Sequence, residues 1–149
     1  MESFSAITLV QKDDQIYSQL ERLEVSALSA GNVLVKVAYS SLNYKDMLAF
    51  QKNGGIIQHY PIIPGIDFSG KVISSEDPAF KKGDQVLVTG FNLGITHSGG
   101  LAEIARVPAE WVVKLPSNLS LKQAMVFGTA GFTAALALRE LLNNGLKQD

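Results

Sequence analysis

The sequence predicts a mainly β domain with a few helices, an α+β fold with a compact β-barrel-like body that ends in a helix. Two observations carry that prediction. About seven short extended segments follow one another with turn signals every eight to twelve residues, the spacing of a compact barrel-like body. From Ser120 onward the pattern changes to helical.

Phe4 to Val10 has β composition, Gln11 to Gln15 is a polar turn, and Ile16 to Val25 returns as a second strand. Gly31-Asn32 breaks the chain. Val33, Val35 and Val37 then alternate with Leu34, Lys36 and Ala38, a strand signal by β-branching and by a partly polar opposite face. After Asn43 the spacing of Met47, Leu48 and Phe50 predicts one or two helical turns, closed by Lys52-Asn53-Gly54-Gly55. Pro61 and Pro64 bracket an extended link. Strands centred on Val72-Ile73 and on Val86, Leu87 and Val88 flank the Lys81-Lys82-Gly83-Asp84 turn. Leu101 to Val107 and Trp111 to Leu115 complete the strands.

Ser120 is placed to cap a short helix through Phe127, and a longer helix runs from about Thr129 to Asn143. In the longer helix Phe132, Leu136 and Arg139 lie on one side. Ala135, Leu138 and Leu142 share a neighbouring apolar side. Gly145 supplies a left-handed stop.

Composition narrows the function. Thirteen basic and fourteen acidic residues leave a net charge of -1, which gives no global attraction to nucleic acid. There is no cysteine, which excludes disulfides, thiolate catalysis and cysteine-ligated zinc. No basic signal-peptide region opens the chain, and no apolar stretch is expected to approach the ~20 residues of a bilayer span. A cytoplasmic protein without membrane or nucleic-acid partners is the expectation.

Three motifs in order carry a resemblance: Ser40-Ser41-Leu42-Asn43-Tyr44-Lys45-Asp46, Pro64-Gly65-Ile66-Asp67-Phe68-Ser69-Gly70, and Gly128-Thr129-Ala130-Gly131-Phe132-Thr133-Ala134. With the run from Ser75 to Asp84 they resemble the medium-chain dehydrogenase/reductase superfamily. Within it they resemble the branch of zinc-free quinone oxidoreductases and acryloyl-coenzyme A reductases. The resemblance covers essentially the whole chain. It implies a GroES-like substrate-side domain, a partly open β-barrel, over residues 1–127. Residues 128–149 would begin the connection to a Rossmann nucleotide domain that lies beyond the chain. No G-x-G-x-x-G is present, and Gly128 to Gly131 lacks the strand that must precede a phosphate loop.

The resemblance implies an NADPH-dependent oxidoreductase that reduces activated carbon-carbon double bonds or quinones, a full-length homodimer acting on a small-molecule substrate. A stand-alone GroES-like binding module without catalysis is the alternative. The positions that match the zinc ligands of the superfamily are Asn43, Ile66 and Thr129, a poor set for that ion, so no metal is expected.

Tyr44 is the candidate catalytic residue and, with Asn43 and Thr129, a candidate cofactor contact. Each has a structural counter-reading: Tyr44 packed against the next helix, Asn43 as a helix N-cap, Thr129 as a local cap. Asp46 in the first helical turn, and Asp67 after the Pro-Gly turn, read as structural, Asp67 as a turn-stabilising carboxylate. His97 lies in a Gly-bounded loop that the resemblance places at the cleft mouth, lining the substrate pocket, and a surface histidine is its counter-reading. Ser98 beside it stands where relatives often carry an aromatic. His59 is given no role.

Overall fold

The computed structural model describes residues 3–147. Seven strands, all paired antiparallel, form two sheets: β1 (Ser3–Lys12) with β2 (Gln15–Glu24), and a five-stranded sheet. The larger sheet contains β3 (Val33–Tyr39), β4 (Asp67–Ser75), β5 (Gln85–Thr89), β6 (Ile104–Val107) and β7 (Val113–Lys114), in the order β6-β3-β4-β5-β7. Bridges Ala6–Ala102 and Leu9–Ile62 tie β1 to the segments that precede β6 and β4. The ribbon is thereby nearly continuous, with β2 and β7 left as edges. This is the mainly β, barrel-like body that the strand spacing predicts, partly open as the resemblance implies.

Alternation in β3 places side chains in two cores. Val33 and Val35 are fully buried with Phe68, Val72, Val86, Val88 and Val107 inside the barrel. Leu34, on the other face, packs against a smaller core of Phe4, Ala6, Leu28, Ile63 and Ile104. Each fully buried Val, Leu, Ile or Phe among them contributes roughly 1.5–3 kcal/mol. The last two strands are shorter than expected. Trp111 belongs to a single 3-10 turn, Ala109–Trp111, because Pro108 ends β6, and β7 keeps only two residues.

Helix α1 (Tyr44–Ala49) lies where the sequence places it. Helix α2 spans Leu121–Asn143 and opens on a capping box in which Ser120 and Gln123 exchange hydrogen bonds. Gly145, at φ 94°, ends it in the left-handed conformation. The expectation that no apolar stretch approaches a membrane span is corrected by this helix. Its 23 residues are long and apolar enough to cross one. Read as two helices, it gives two pieces too short to span. A break does exist: Gly128, at φ 53° and ψ -162°, is non-helical.

Candidate active site

The chain turns out of β3 at Ser40, enters α1 at Tyr44, starts β4 at Asp67 and restarts α2 after Gly128. These segments converge on one carboxylate. Asp67 is 0% exposed and accepts five hydrogen bonds. Ser41 donates to Oδ1 from its backbone N–H at 3.1 Å and its hydroxyl at 2.6 Å. Asn43 Nδ2 donates to Oδ2 at 3.0 Å, as do the Thr129 N–H at 2.9 Å and the Thr129 hydroxyl at 2.8 Å. An isolated carboxylate would be costly to bury; five donors offset that cost. The helix break makes two of these bonds possible. At Gly128 the backbone leaves the helical ladder, and the N–H of Thr129 turns to Asp67, which acts as a distant cap for the restarted helix.

Asp46 is a second buried carboxylate, 3% exposed. Its Oδ2 accepts from the Asn43 N–H at 2.8 Å and from Asn43 Nδ2 at 3.2 Å, and its Oδ1 accepts from the Ile66 N–H at 3.0 Å. Burial holds its pKa above the ordinary carboxylate value, with a smaller upward push from the charge on Asp67. The hydrogen bonds from Asn43 and Ile66 oppose the shift without cancelling it. The Asn43 amide therefore stands between two carboxylates. Both are acceptors only, which fixes its NH2 group toward them.

The structure brings Asn43 and Thr129 together through Asp67. It also places Asn43 at the N-cap of α1, its side chain and that of Asp46 forming a capping box, as the structural counter-reading expects. Ile66 adjoins them as a buried residue whose N–H goes to Asp46. None of the three offers a thiolate, imidazole or carboxylate. Their chemistry does not fit zinc, although Asp46 and Asp67 lie beside them. Among the described residues no three His, Cys, Asp or Glu side chains gather.

Tyr44 opens α1 and is 74% exposed, so it is not packed into a neighbouring helix among the described residues. His97 makes no hydrogen bond to the Asp67 cluster. Its ring nitrogens lie 2.8 Å from the Ala30 carbonyl and 3.1 Å from the Ser98 carbonyl, and its edge meets Trp111 at 4.9 Å. It lines a cavity of about 270 Å³ with Thr8, Ser29, Ile62 and Ser98. His59, to which the sequence gives no role, lines the same cavity. Ser98 is buried and exchanges hydrogen bonds with Ser29, at 2.9 Å and 3.2 Å. An aromatic wall exists nearby in another form: Phe91 stacks on Trp111 at 5.1 Å.

The reading of Asp67 as a turn-stabilising carboxylate is corrected. It is the first residue of a strand and the hub of the site. Ser41, quoted only as part of a motif, is its second support. The available signal was a charged residue enclosed by Ile66 and Phe68 at the start of an apolar strand, where a carboxylate needs several donors.

Residues 29–117 match the family of alcohol dehydrogenase GroES-like domains. The chain is 48% identical over 146 residues, 98% of its length, to YhfP of Bacillus subtilis, a protein named provisionally as a quinone oxidoreductase. It is 44% identical over 146 residues, 96% of its length, to the acrylyl-CoA reductase AcuI of Ruegeria pomeroyi. The crystal structure of the YhdH oxidoreductase of Salmonella enterica in complex with NADP superposes with a TM-score of 0.94 at 51% identity over 96% of this chain. That of B. subtilis YhfP with NAD bound gives a TM-score of 0.95 at 48% identity over 99% of the chain. The chain spans 44% of the length of YhfP, AcuI and the YhdH structure.

Proposed function

Because this chain belongs to the alcohol dehydrogenase GroES-like domain family, we propose that it is the substrate-side part of an NADPH-dependent, zinc-independent oxidoreductase that reduces activated carbon-carbon double bonds or quinones. The observation that supports this most is the convergence of Asn43 and Thr129, two of the positions matching zinc ligands in the superfamily, on the buried carboxylate of Asp67. An amide and a hydroxyl, fixed in place, suit the ribose or carboxamide of a nicotinamide cofactor. The likeness to an acrylyl-CoA reductase and to an NADP-bound oxidoreductase points the same way.

When bound, the reduced nicotinamide supplies hydride. The protein's task is then to hold it against the substrate and to stabilise charge developing on the substrate oxygen. Without a Lewis-acid metal that stabilisation falls to hydrogen-bond donors, each worth about 3 kcal/mol in a preorganised site. The exposed phenol of Tyr44 is the donor we assign to that oxygen. The His97 loop, with the cavity it lines, forms part of the wall for the rest of the substrate. We place residues 1–127 in the substrate-side domain and 128–149 at the start of the connection to a nucleotide domain supplied by further chain. The complete protein is proposed to be a cytoplasmic homodimer with the exposed face of α2 covered.

The test is NADPH oxidation by the complete protein with acryloyl-coenzyme A, small enones and quinones in parallel. Turnover of at least one class is expected. NADPH binding without turnover of any would sink the reductase reading. Tyr44→Phe should lower kcat/KM by about a hundredfold, the loss of one preorganised donor; full activity in that variant would remove Tyr44 from the mechanism.

A further inference from the structure

The donors of the Asn43–Thr129 edge all point into the protein. Asn43 directs its amide hydrogens at Asp67 and Asp46, at 3.0 and 3.2 Å, with Ser41 Oγ at 3.3 Å. Ser41 and Thr129 commit both N–H and hydroxyl to Asp67. What the side chains retain is acceptor capacity. Having donated its one hydrogen, the Thr129 hydroxyl oxygen keeps two lone pairs, and Ser41 Oγ, which accepts from Asn43 Nδ2, keeps one. The Asn43 carbonyl, engaged once at the cap, keeps a second. A fully buried negative charge stands directly behind them.

We propose that Asp67 is the positioning residue of this edge. By engaging the donors of Ser41, Asn43 and Thr129 it leaves an acceptor-only surface that receives the hydroxyl groups of a sugar and turns away an oxyanion. The inference rests on the nicotinamide reading above and deepens it by separating two roles. Asn43 and Thr129 accept from the ribose of the cofactor. The substrate oxygen, which accumulates negative charge, is repelled by Asp67 and must lie toward Tyr44. A neutral residue in place of Asp67 removes both effects. An Asn there presents its own NH2 to groups that are themselves donors, so Asn43 and Thr129 lose their fixed orientation.

The experiment uses the complete protein and two probes: reduced nicotinamide mononucleotide, and its counterpart whose ribose lacks both hydroxyls. Binding of each is followed by nicotinamide fluorescence. The parent protein should prefer the ribose form by about tenfold, the yield of one or two hydrogen bonds. In Asp67→Asn, shown folded by near-UV circular dichroism, the preference should fall below about twofold. A merely structural role would weaken both probes together and leave the ratio unchanged. Thr129→Val provides an independent reading and should lower the ratio by about threefold or more. It decides the matter if Asp67→Asn does not fold.

Two results overturn the proposal: equal binding of both probes by the parent protein, or an undiminished ratio in folded Asp67→Asn or, where that variant does not fold, in Thr129→Val. Failure of the complete protein to bind NADPH at all would instead overturn the nicotinamide reading. The two failures are thus distinguishable.

Discussion

The Asp67 cluster and the outer face of α2 are neighbours in the chain and opposites in their chemistry. The cluster is polar, buried and fully partnered: one carboxylate, five donors, and no buried polar side-chain atom left unsatisfied among the described residues. From Phe132 to Leu142 the helix carries an open apolar face beside the Arg139–Glu140 pair, with Phe132, Leu138, Leu141 and Leu142 all exposed. A desolvated charge can persist only when its partners are present, so the cluster is complete within these residues. Apolar side chains in the open gain nothing from folding, so nothing within these residues stabilises that face. Gly128 is the border between the two.

The largest expected effect comes from that border. Gly128 occupies a backbone conformation at φ 53° and ψ -162° that is nearly restricted to glycine, and an added Cβ would lie 2.5 Å from the Ser41 hydroxyl. Gly128→Ala should destabilise the protein by about 3 kcal/mol, strain and displacement of the Ser41–Asp67 bond together. Denaturant unfolding measures it. A loss below about 1 kcal/mol would mean that the border is tolerant and the cluster less tightly built than its distances imply.

Ser41→Ala is the next step down. It removes the shortest of the five bonds to Asp67, 2.6 Å, but leaves the Ser41 N–H and the other three donors in place. A charge-assisted bond lost from a buried carboxylate should cost about 1.5–3 kcal/mol by the same unfolding measurement. No change would show the cluster to be redundant.

Asp46 gives the comparison a pH dependence. Its pKa is raised above 3.8 in the folded state by burial, so the folded protein binds its proton more tightly than the unfolded chain does. Its contribution to stability is therefore greatest below the ordinary value and is lost as pH rises through the folded pKa. Asp46→Asn should flatten this part of the stability–pH curve, while also weakening the bonds from Asn43 and Ile66 at every pH. An unchanged curve would mean that burial does not govern the group.

How much of this was legible in the sequence follows from what covers each face. The alternation of β3 was readable because both of its faces meet apolar neighbours, Val33 and Val35 in one core and Leu34 in the other. The start of β4 was not. Asp67 and Ser69 share a face that reads as solvent-exposed by its polarity, yet both are 0% exposed. Helix α2 lies across that face, and Ser69 donates to the Leu121 carbonyl at 2.7 Å. The polar side chains are there to meet the backbone of a helix more than fifty residues later, a tertiary demand that no local period encodes. Asn43 and Thr129 were found because a resemblance pointed at their positions. The residue that joins them lay inside a quoted motif and read as a turn.

The smallest expected effect in the chain itself lies on the open helix face, and it becomes informative by contrast. Leu138→Gln keeps helix propensity nearly constant and replaces an exposed apolar side chain with a polar one. In the 149-residue chain the change should alter stability by less than about 0.5 kcal/mol, because half of the residue already lies in solvent. In the longer protein proposed above the same substitution should cost about 2–4 kcal/mol, the price of placing an amide in a packed apolar interface. Paired unfolding measurements on the two proteins read the difference. Equal and negligible effects in both would show that the face stays open even with the proposed nucleotide domain present. The boundary at Gly128 would then separate a finished core from a surface that serves something other than the joining of domains.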